Sequence, residues 1–149
     1  HFDSKESMVD EILRTFLDDL FGRYREIIAA GLGPREALEA IVVASFESID
    51  RQHDAVAIFQ NESGYLAQFD RFSYLGDRNV EFRKLWIGLL EDGVRAGVFR
   101  PGMDLELLYR FIRDTVWVAV GWYRPGGALS AEAVAQQYLG ILLDGIASS

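Results

Sequence analysis

The residues of this chain best suited to chemistry are two arginines and a tryptophan in a segment that is rich in apolar residues. Arg110, Arg113 and Trp117 lie between positions 105 and 123, among leucine, isoleucine, valine and phenylalanine. A helix would place Arg113 and Trp117, four residues apart, on one face as a cation beside a flat aromatic ring. Such a pair suits an anionic ligand with a ring system. Spacing alone favours a structural role, in which Arg113 pairs with a carboxylate or extends to the surface, because most polar groups in cores are structural.

The inventory of reactive residues argues against an enzyme. The chain has no cysteine, and its only histidines are His1 and His53. Neither histidine has a glutamate three residues before it, which a carboxylate-bridged di-metal bundle would need. No glycine-rich phosphate loop opens a helix. We therefore expect no catalytic activity, no metal and no cofactor, and the remaining classes are a binding module and a structural one.

The composition of the chain indicates which partners a binding or structural module of this kind can have. Half of the 149 residues are hydrophobic and 26% are charged, which predicts one folded domain. Fifteen lysines and arginines against 23 aspartates and glutamates give a net charge of -8, the wrong sign for a surface that binds duplex phosphates. The chain contains no uncharged apolar stretch of about 18 residues, so we expect no membrane span. The absence of cysteine is compatible with a reducing cytoplasm.

Apolar residues recur at helical spacing along nearly the whole chain, and no alternating strand pattern is present. The sequence therefore predicts an all-α fold of six helices. Asp104 and Ser130 are the expected N-caps of the last two helices, and Gly97 is the expected residue after the fourth. The apolar run 115–122 predicts a helix buried on several sides. The six segments cover residues 3–28, 34–49, 55–66, 73–96, 104–123 and 130–147.

The third segment and the irregular stretch after it have the character of a pocket entrance. The segment is short and polar in its middle, and residues 68–70 follow without clear periodicity. Most aromatic residues of the third and fourth segments belong to a core. Even so, a short polar helix before a loose stretch is typical of the mouth of a pocket between helices.

The last two segments predict a dimer. They are too apolar for one chain to bury on every face, and the small residues Ala135, Gly140 and Gly145 would let helices approach closely. We expect two copies to pack these helices as an isologous four-helix bundle. The expected interface residues are Trp122, Tyr138, Leu142, Gly145 and Ile146.

Residues 1–8, His-Phe-Asp-Ser-Lys-Glu-Ser-Met, resemble the end of the DNA-binding domain in the TetR family of transcriptional repressors. That family places a three-helix helix-turn-helix domain before this point. The resemblance implies that residues 1–4 end the DNA-binding domain and that residues 5–149 form a ligand-binding and dimerisation domain. It also implies that operator DNA is bound only through the preceding domain, with Lys5 touching a DNA phosphate and His1 close to the DNA backbone.

Residues 113–127 and 136–147 resemble a branch of that family, the actinobacterial TetR-type repressors of late sterol-ring (cholesterol) catabolism. The resemblance implies a cytoplasmic homodimer that releases DNA on binding an acyl-CoA thioester, a steroid ring-degradation intermediate. A paralogue that responds to a different acyl-CoA would share these residues. The alternative from another class is an all-helical protein-interaction or dimerisation bundle without a ligand.

If the ligand is a CoA thioester, Arg113 and Trp117 are assigned to ligand binding instead of to the structural role that spacing alone favours. It supplies phosphates for an arginine and an adenine or ring system for a tryptophan, so both residues become ligand contacts. Arg110 is the second choice for the phosphates. The acyl part would lie among aromatic side chains of the third, fourth and fifth segments, with Phe82 and Trp86 as walls and Gln60 as a polar contact.

Overall fold

A computed structural model describes residues 2–148 as six α-helices and two short 3₁₀ turns. The 3₁₀ turns are Asp70–Phe72, between the third and fourth helices, and Val118–Gly121, directly after the fifth. No strand forms within residues 2–148, and the predicted all-α class with six helices is confirmed. The helices are α1 Phe2–Ala29, α2 Pro34–Arg51, α3 His53–Leu66, α4 Tyr74–Arg95, α5 Leu105–Trp117 and α6 Ala131–Ile146.

Several helix ends follow from single residues, as the sequence predicts. Asp104 accepts a hydrogen bond from the Leu107 backbone N–H at 3.1 Å and caps α5. Ser130 caps α6 in the same way. Gly97 follows α4 with φ of +74°, a conformation that glycine adopts without strain.

The central helix of the domain is α2, which packs against every other helix. Its two buried serines donate hydrogen bonds one turn back, Ser45 to the Ile41 carbonyl at 2.8 Å and Ser48 to the Ala44 carbonyl at 3.0 Å. The enclosed helix therefore leaves neither hydroxyl unsatisfied. The inward face of α2 is fully buried and includes Leu38, Ile41, Val42, Ser45, Phe46 and Ile49.

The break between the second and third segments is shorter than the gap at residues 50–54 predicts. Helix α2 continues to Arg51 and α3 begins at His53, so only Gln52 separates them. The Gln52 N–H donates to the Ser48 carbonyl at 2.8 Å, and the Gln52 carbonyl accepts from the Val56 N–H at 3.0 Å. The chain therefore turns at this one residue, and the polar residues on either side of it remain helical because glycine and proline are absent.

The fifth helix is shorter than the sequence predicts. It ends at Trp117 instead of Tyr123 and tightens into the 3₁₀ turn Val118–Gly121. Residues 115–122 are also not enclosed within one chain, because Val118 and Trp122 are exposed. The segment is apolar on all sides, but only one of its sides packs inside this chain. The other side lies at the surface of the chain.

Replacing Gly93 by alanine will destabilise the fold, because the new methyl group would overlap the ring of buried Phe99. We expect a loss of about 1–3 kcal/mol in the free energy of unfolding, measured by urea denaturation. Gly88→Ala, on the same helix with open space around its Cα, is the control and should be neutral or stabilising by up to about 1 kcal/mol. Equal behaviour of the two variants would contradict the packing at Gly93.

Candidate functional site

A cluster of buried aromatic rings joins α1, α4 and α5. The Trp117 ring meets the Phe16 ring edge-to-face at 6.2 Å between centroids and the Phe82 ring at 5.8 Å. Phe82 also contacts Trp86 at 6.5 Å. The structure thus brings together three residues that the sequence analysis proposed for one pocket, namely Phe82, Trp86 and Trp117. We call these residues, with Phe16 and Phe59, the aromatic cluster.

One donor within the aromatic cluster lacks an acceptor. The indole N–H groups of Trp86 and Trp117 are both buried. The Trp86 N–H lies close to the Tyr24 hydroxyl, whose oxygen can accept from it while the hydroxyl donates to Ser45 Oγ. The Trp117 N–H has no hydrogen-bond partner within the described part of the chain. A buried unsatisfied donor costs about 1–3 kcal/mol, so the Trp117 N–H is the polar group of this cluster that a ligand acceptor would satisfy.

Arg113 lies at the surface, one helical turn before buried Trp117. Its Nε donates to Asp114 Oδ1 at 2.9 Å, and its guanidinium carbon lies 5.6 Å from the centre of the Tyr109 ring. The hydrogen bond to Asp114 raises the pKa of the guanidinium, which therefore stays charged. Because 44% of the side chain is exposed, this ion pair is worth little, and Arg113 can turn to another anion at small cost.

The remaining predicted ligand contacts lie further from the aromatic cluster. Arg110 is exposed on α5, one turn before Arg113. Gln60 is exposed on α3, whereas its neighbour Phe59 is half-buried and meets the Phe16 ring at 5.9 Å. Helix periodicity could have indicated Phe16 and Phe59, since both lie on apolar rows of their helices. The ligand roles of all these side chains stay predictions.

A second surface lies along α5 and α6. It is a groove of about 460 Å³ with almost wholly apolar walls, and Phe111 and Ile141 project beside it with 59% and 79% of their surface exposed. Four of the five predicted interface residues line the groove, with Ile146 contributing only its buried floor. The fifth, Trp122, lies beyond the groove and is exposed. The groove residues are Leu108, Phe111, Ile112, Thr115, Tyr138, Ile141, Leu142, Gly145 and Ile146.

A third concave surface lies between the start of α1 and the end of α3. This groove of about 450 Å³ includes the exposed pair Tyr65 and Phe69, whose rings meet edge-to-face at 5.2 Å. It adjoins the irregular residues 68–70 where the sequence predicts a pocket entrance. Lys5 is exposed on its rim, and His1 lies outside the described residues.

The one histidine in the described residues has a structural contact. His53 Nε2 lies 2.9 Å from the Val120 carbonyl oxygen and 3.1 Å from that of Tyr123, which fastens the end of α5 to the α2–α3 junction. The Tyr123 hydroxyl donates to Asp50 Oδ1 at 2.7 Å in the same place. Within residues 2–148, no three acidic or histidine side chains gather closely enough to hold a metal ion. Across the same residues, no helix combines the length and apolarity needed to cross a membrane.

Comparison with known proteins identifies the family. Residues 31–146 match the family described as tetracyclin repressor-like, C-terminal domain. The HTH-type transcriptional repressor KstR2 of Rhodococcus jostii (strain RHA1) is 62% identical over 148 residues, covering 99% of this chain and 72% of the relative. KstR2 of Mycobacterium tuberculosis (strain ATCC 25618 / H37Rv) is 55% identical over 146 residues, covering 98% and 73%.

Solved structures agree with this match. The ketosteroid transcriptional regulator KstR2 of Mycobacterium tuberculosis superposes with a TM-score of 0.96 and 54% identity, covering 100% of this chain and 76% of that one. AibR, in complex with isovaleryl coenzyme A and operator DNA, superposes with a TM-score of 0.79 and 19% identity, covering 96% and 77%. The second likeness shows a shared fold.

These features define the class as a regulatory domain of a helical transcriptional repressor. The chain belongs to the TetR family, and residues 31–146 are its C-terminal domain. The resemblance seen at the start of the chain and in residues 113–127 and 136–147 is therefore confirmed. The relatives named above are transcriptional repressors, which is a regulatory role and not a catalytic one.

The Tyr123 contact predicts an alkaline dependence of stability. Burial, and next the hydrogen bond to Asp50, raise the pKa of Tyr123 to about 12, above its ordinary value of about 10. The stabilisation is therefore complete below pH 10 and is lost as the pH rises through 12. We expect Tyr123→Phe to be about 1 kcal/mol less stable at pH 8 and to approach the parent by pH 12, in urea titrations at both pH values. A gap that stays constant would contradict this.

Proposed function

We propose that this domain is the effector sensor of a repressor that releases operator DNA on binding an acyl-CoA thioester, and that the acyl group is a steroid ring-degradation intermediate. The observation that carries the proposal is the aromatic cluster with the unpartnered indole N–H of Trp117, one turn from a charged surface arginine on the same helix. In this proposal residues 5–149 are the sensing and dimerisation domain of a cytoplasmic repressor.

The aromatic cluster suits the acyl part of such a ligand. Alicyclic rings pack well against Phe82 and Phe16, and the Trp117 N–H can donate to a carbonyl or hydroxyl oxygen that the rings carry. Ligand sites of this kind are mostly apolar and hold a few well-placed polar groups. A purely aliphatic acyl chain would leave the Trp117 donor unpaired, so the cluster favours an acyl group with a polar oxygen.

The phosphates of coenzyme A need a cation near the cluster. Lysine occurs only at positions 5 and 84, so arginine must provide the charge. Arg113 lies one turn from Trp117, and its partner Asp114 follows it directly in sequence on an exposed surface. Exchange of that weak ion pair for a phosphate gives a charge-assisted, bidentate contact. Arg110 is the second candidate on the same helix.

The comparisons support the chemistry of the ligand. The similar repressor of Mycobacterium tuberculosis is described as a ketosteroid transcriptional regulator, and the more distant AibR, with the same fold, binds isovaleryl coenzyme A. A steroid-derived acyl-CoA has both a steroid-type acyl group and a coenzyme A group. The effector must bind the arrangement that cannot hold DNA better than the one that can, because only this difference in affinity shifts the equilibrium.

We also propose that the apolar α5–α6 groove is covered by the same groove of a second copy. Its exposed apolar side chains form one continuous face, and an isologous contact requires a single self-complementary patch. Operator half-sites lie about one DNA helical turn apart, so two linked DNA-binding domains are the usual way to read them. The buried area should reach about 2,000 Å² in total.

The ligand assignment is tested by Arg113→Ala and Trp117→Phe. The phenylalanine keeps a ring in the core, whereas alanine would open a cavity at this buried site. Each variant should keep the melting temperature of the parent within a few degrees and lose about tenfold to a hundredfold in affinity, from a lost contact of about 1.5–3 kcal/mol.

The measurement is isothermal titration with a panel of steroid ring-degradation acids and their CoA thioesters. Arg95→Ala is the matched control, since Arg95 is also an exposed arginine paired with a nearby aspartate, Asp92. Unchanged affinity in Arg113→Ala would overturn its role. If no thioester binds the parent, the sensor proposal fails and the bundle without a ligand takes its place.

The dimer is tested by Ile141→Glu. A charge at the most exposed residue of the groove should prevent association, because it would be buried without a partner. Light scattering should give twice the chain mass for the parent and the single chain mass for this variant at micromolar concentration. Val80→Glu, at an exposed valine of α4, is the control and should remain dimeric. A monomeric parent would reject the proposed interface.

A further inference from the structure

The start of α1 is attached to the domain differently from the rest of the helix. From Leu13 to Tyr24 the inward residues expose at most 1% of their surface. Among residues 4–12, Val9 and Ile12 are the ones that pack against the core, and both are half-buried. Apolar packing therefore fixes the later part of α1, and residues 4–12 depend also on other contacts.

Polar side chains supply those contacts around Asp10. Its Oδ1 accepts from Arg14 Nε at 2.9 Å and from the Tyr74 hydroxyl at 2.7 Å, and its Oδ2 lies 3.4 Å from Arg71 Nε. Arg71 also donates to Ser7 Oγ at 2.9 Å, and the Arg14 guanidinium stacks 3.9 Å from the centre of the Tyr74 ring. We call Ser7, Asp10, Arg14, Arg71 and Tyr74 the Asp10 cluster.

The carboxylate at the centre of this cluster is enclosed and charged. Only 14% of the Asp10 side chain is exposed. Burial raises the pKa of Asp10, but the hydrogen bonds from Tyr74, Arg14 and Arg71 outweigh it and hold the pKa below its ordinary value. A mostly enclosed carboxylate with three donors is worth more than an exposed ion pair.

The Asp10 cluster ties α1 to the connection between α3 and α4. Arg71 belongs to the 3₁₀ turn Asp70–Phe72, and Tyr74 is the first residue of α4. Phe69 and Phe72, from the same connection, line the groove between α1 and α3. A movement of this connection is therefore transmitted to the start of α1, where a preceding DNA-binding domain would be joined.

The aromatic cluster and the Asp10 cluster lie across the same pair of helices, α1 and α4. Trp117 of α5 contacts both Phe16 of α1 and Phe82 of α4, and Phe82 also meets Phe21 of α1 at 5.8 Å between ring centroids. A ligand that enters among these rings between α1 and α4 has to separate the two helices. The Asp10 cluster bridges α1 and α4, so it opposes this separation.

We propose that Asp10 is a positioning residue for the response to the effector, holding the start of α1 in the operator-binding arrangement until ligand entry separates α1 from α4. This inference rests on the proposed sensor function. Asp10 touches neither ligand nor DNA, and it acts through the position of α1. Loss of the cluster should weaken operator binding and lower the effector concentration that causes release.

The test compares Asp10→Asn with Asp18→Asn in the repressor that includes its DNA-binding domain. Asp18 is the matched control because it lies on the same helix and pairs with an arginine of α4, Arg78, at 2.5 Å, but two turns further along and largely exposed. Tyr74→Phe is the second variant, in case Asp10→Asn fails to fold, since it removes one hydrogen bond and keeps the ring beneath Arg14.

Three measurements separate the outcomes. Operator DNA selected from a random pool should bind Asp10→Asn about fivefold more weakly than the parent and Asp18→Asn. Amide exchange should rise in residues 2–12 and 67–74 and stay unchanged in residues 13–29. The CoA thioester found by titration should release DNA from Asp10→Asn at about a fifth of the concentration that the parent needs.

Each result decides a separate point. If Asp10→Asn and Tyr74→Phe behave as Asp18→Asn does, or bind operator more tightly than the parent, the positioning role is overturned. If no thioester binds the parent while operator affinity and exchange change as expected, the proposed effector fails and the positioning role of Asp10 stands. Release at a higher thioester concentration would overturn the inferred direction of coupling.

Discussion

The burial of α2 by all the other helices is the constraint on which the rest of the domain depends. The buried polar groups of such a helix must be satisfied within the protein, and Ser45 and Ser48 do so through carbonyls one turn back. The Tyr24 hydroxyl from α1 then pairs with Ser45, so the neighbouring helix is fixed against α2 by a polar contact as well as by packing. Close-packed interiors of this kind resist gradual deformation. Under the proposed function, the contacts that change are therefore those among the other helices, and α2 stays in place.

Helix α5 shows how one element can face three environments. Tyr109, Ile112, Val116 and Trp117 are buried in the core, Phe111 is exposed along the α6 groove, and Arg113 lies on a charged strip between them. One apolar face of the helix packs into the core. Its remaining apolar residues lie on the α5–α6 groove, which is exposed in a single chain. Under the proposed function, the effector and the second copy both contact α5. Binding of either one therefore influences binding of the other through the position of this helix.

Much of the fold follows from the sequence because it depends on local signals. The caps Asp104 and Ser130, the glycine after α4 and the inward residues of α2 are set by neighbours within one or two turns. The prediction of the end of α5 fails because contacts with residues distant in sequence fix where that helix ends. His53 reaches the carbonyls of Val120 and Tyr123 about 70 residues away and accompanies the early end of α5. Spacing along the chain cannot reveal such a contact, because it holds no information on which helix ends meet.

Only part of the candidate site could be predicted from the sequence, because spacing along the chain does not show which side chains become buried. Helical spacing places Arg113 and Trp117 about one turn apart. Each residue of an α-helix rotates by about 100°, so a four-residue step leaves an offset of about 40° between the two side chains. With this offset, Trp117 is buried and Arg113 lies at the surface. This separation has a chemical consequence. Under the proposed function, an interior ring system and an exterior phosphate are the two ends of one elongated ligand, and a helix that crosses the boundary between core and solvent can contact both. The same boundary explains why the Trp117 N–H stays unpaired while Arg113 keeps a replaceable partner. Burial denies the indole any acceptor from water, and exposure weakens the ion pair of the arginine.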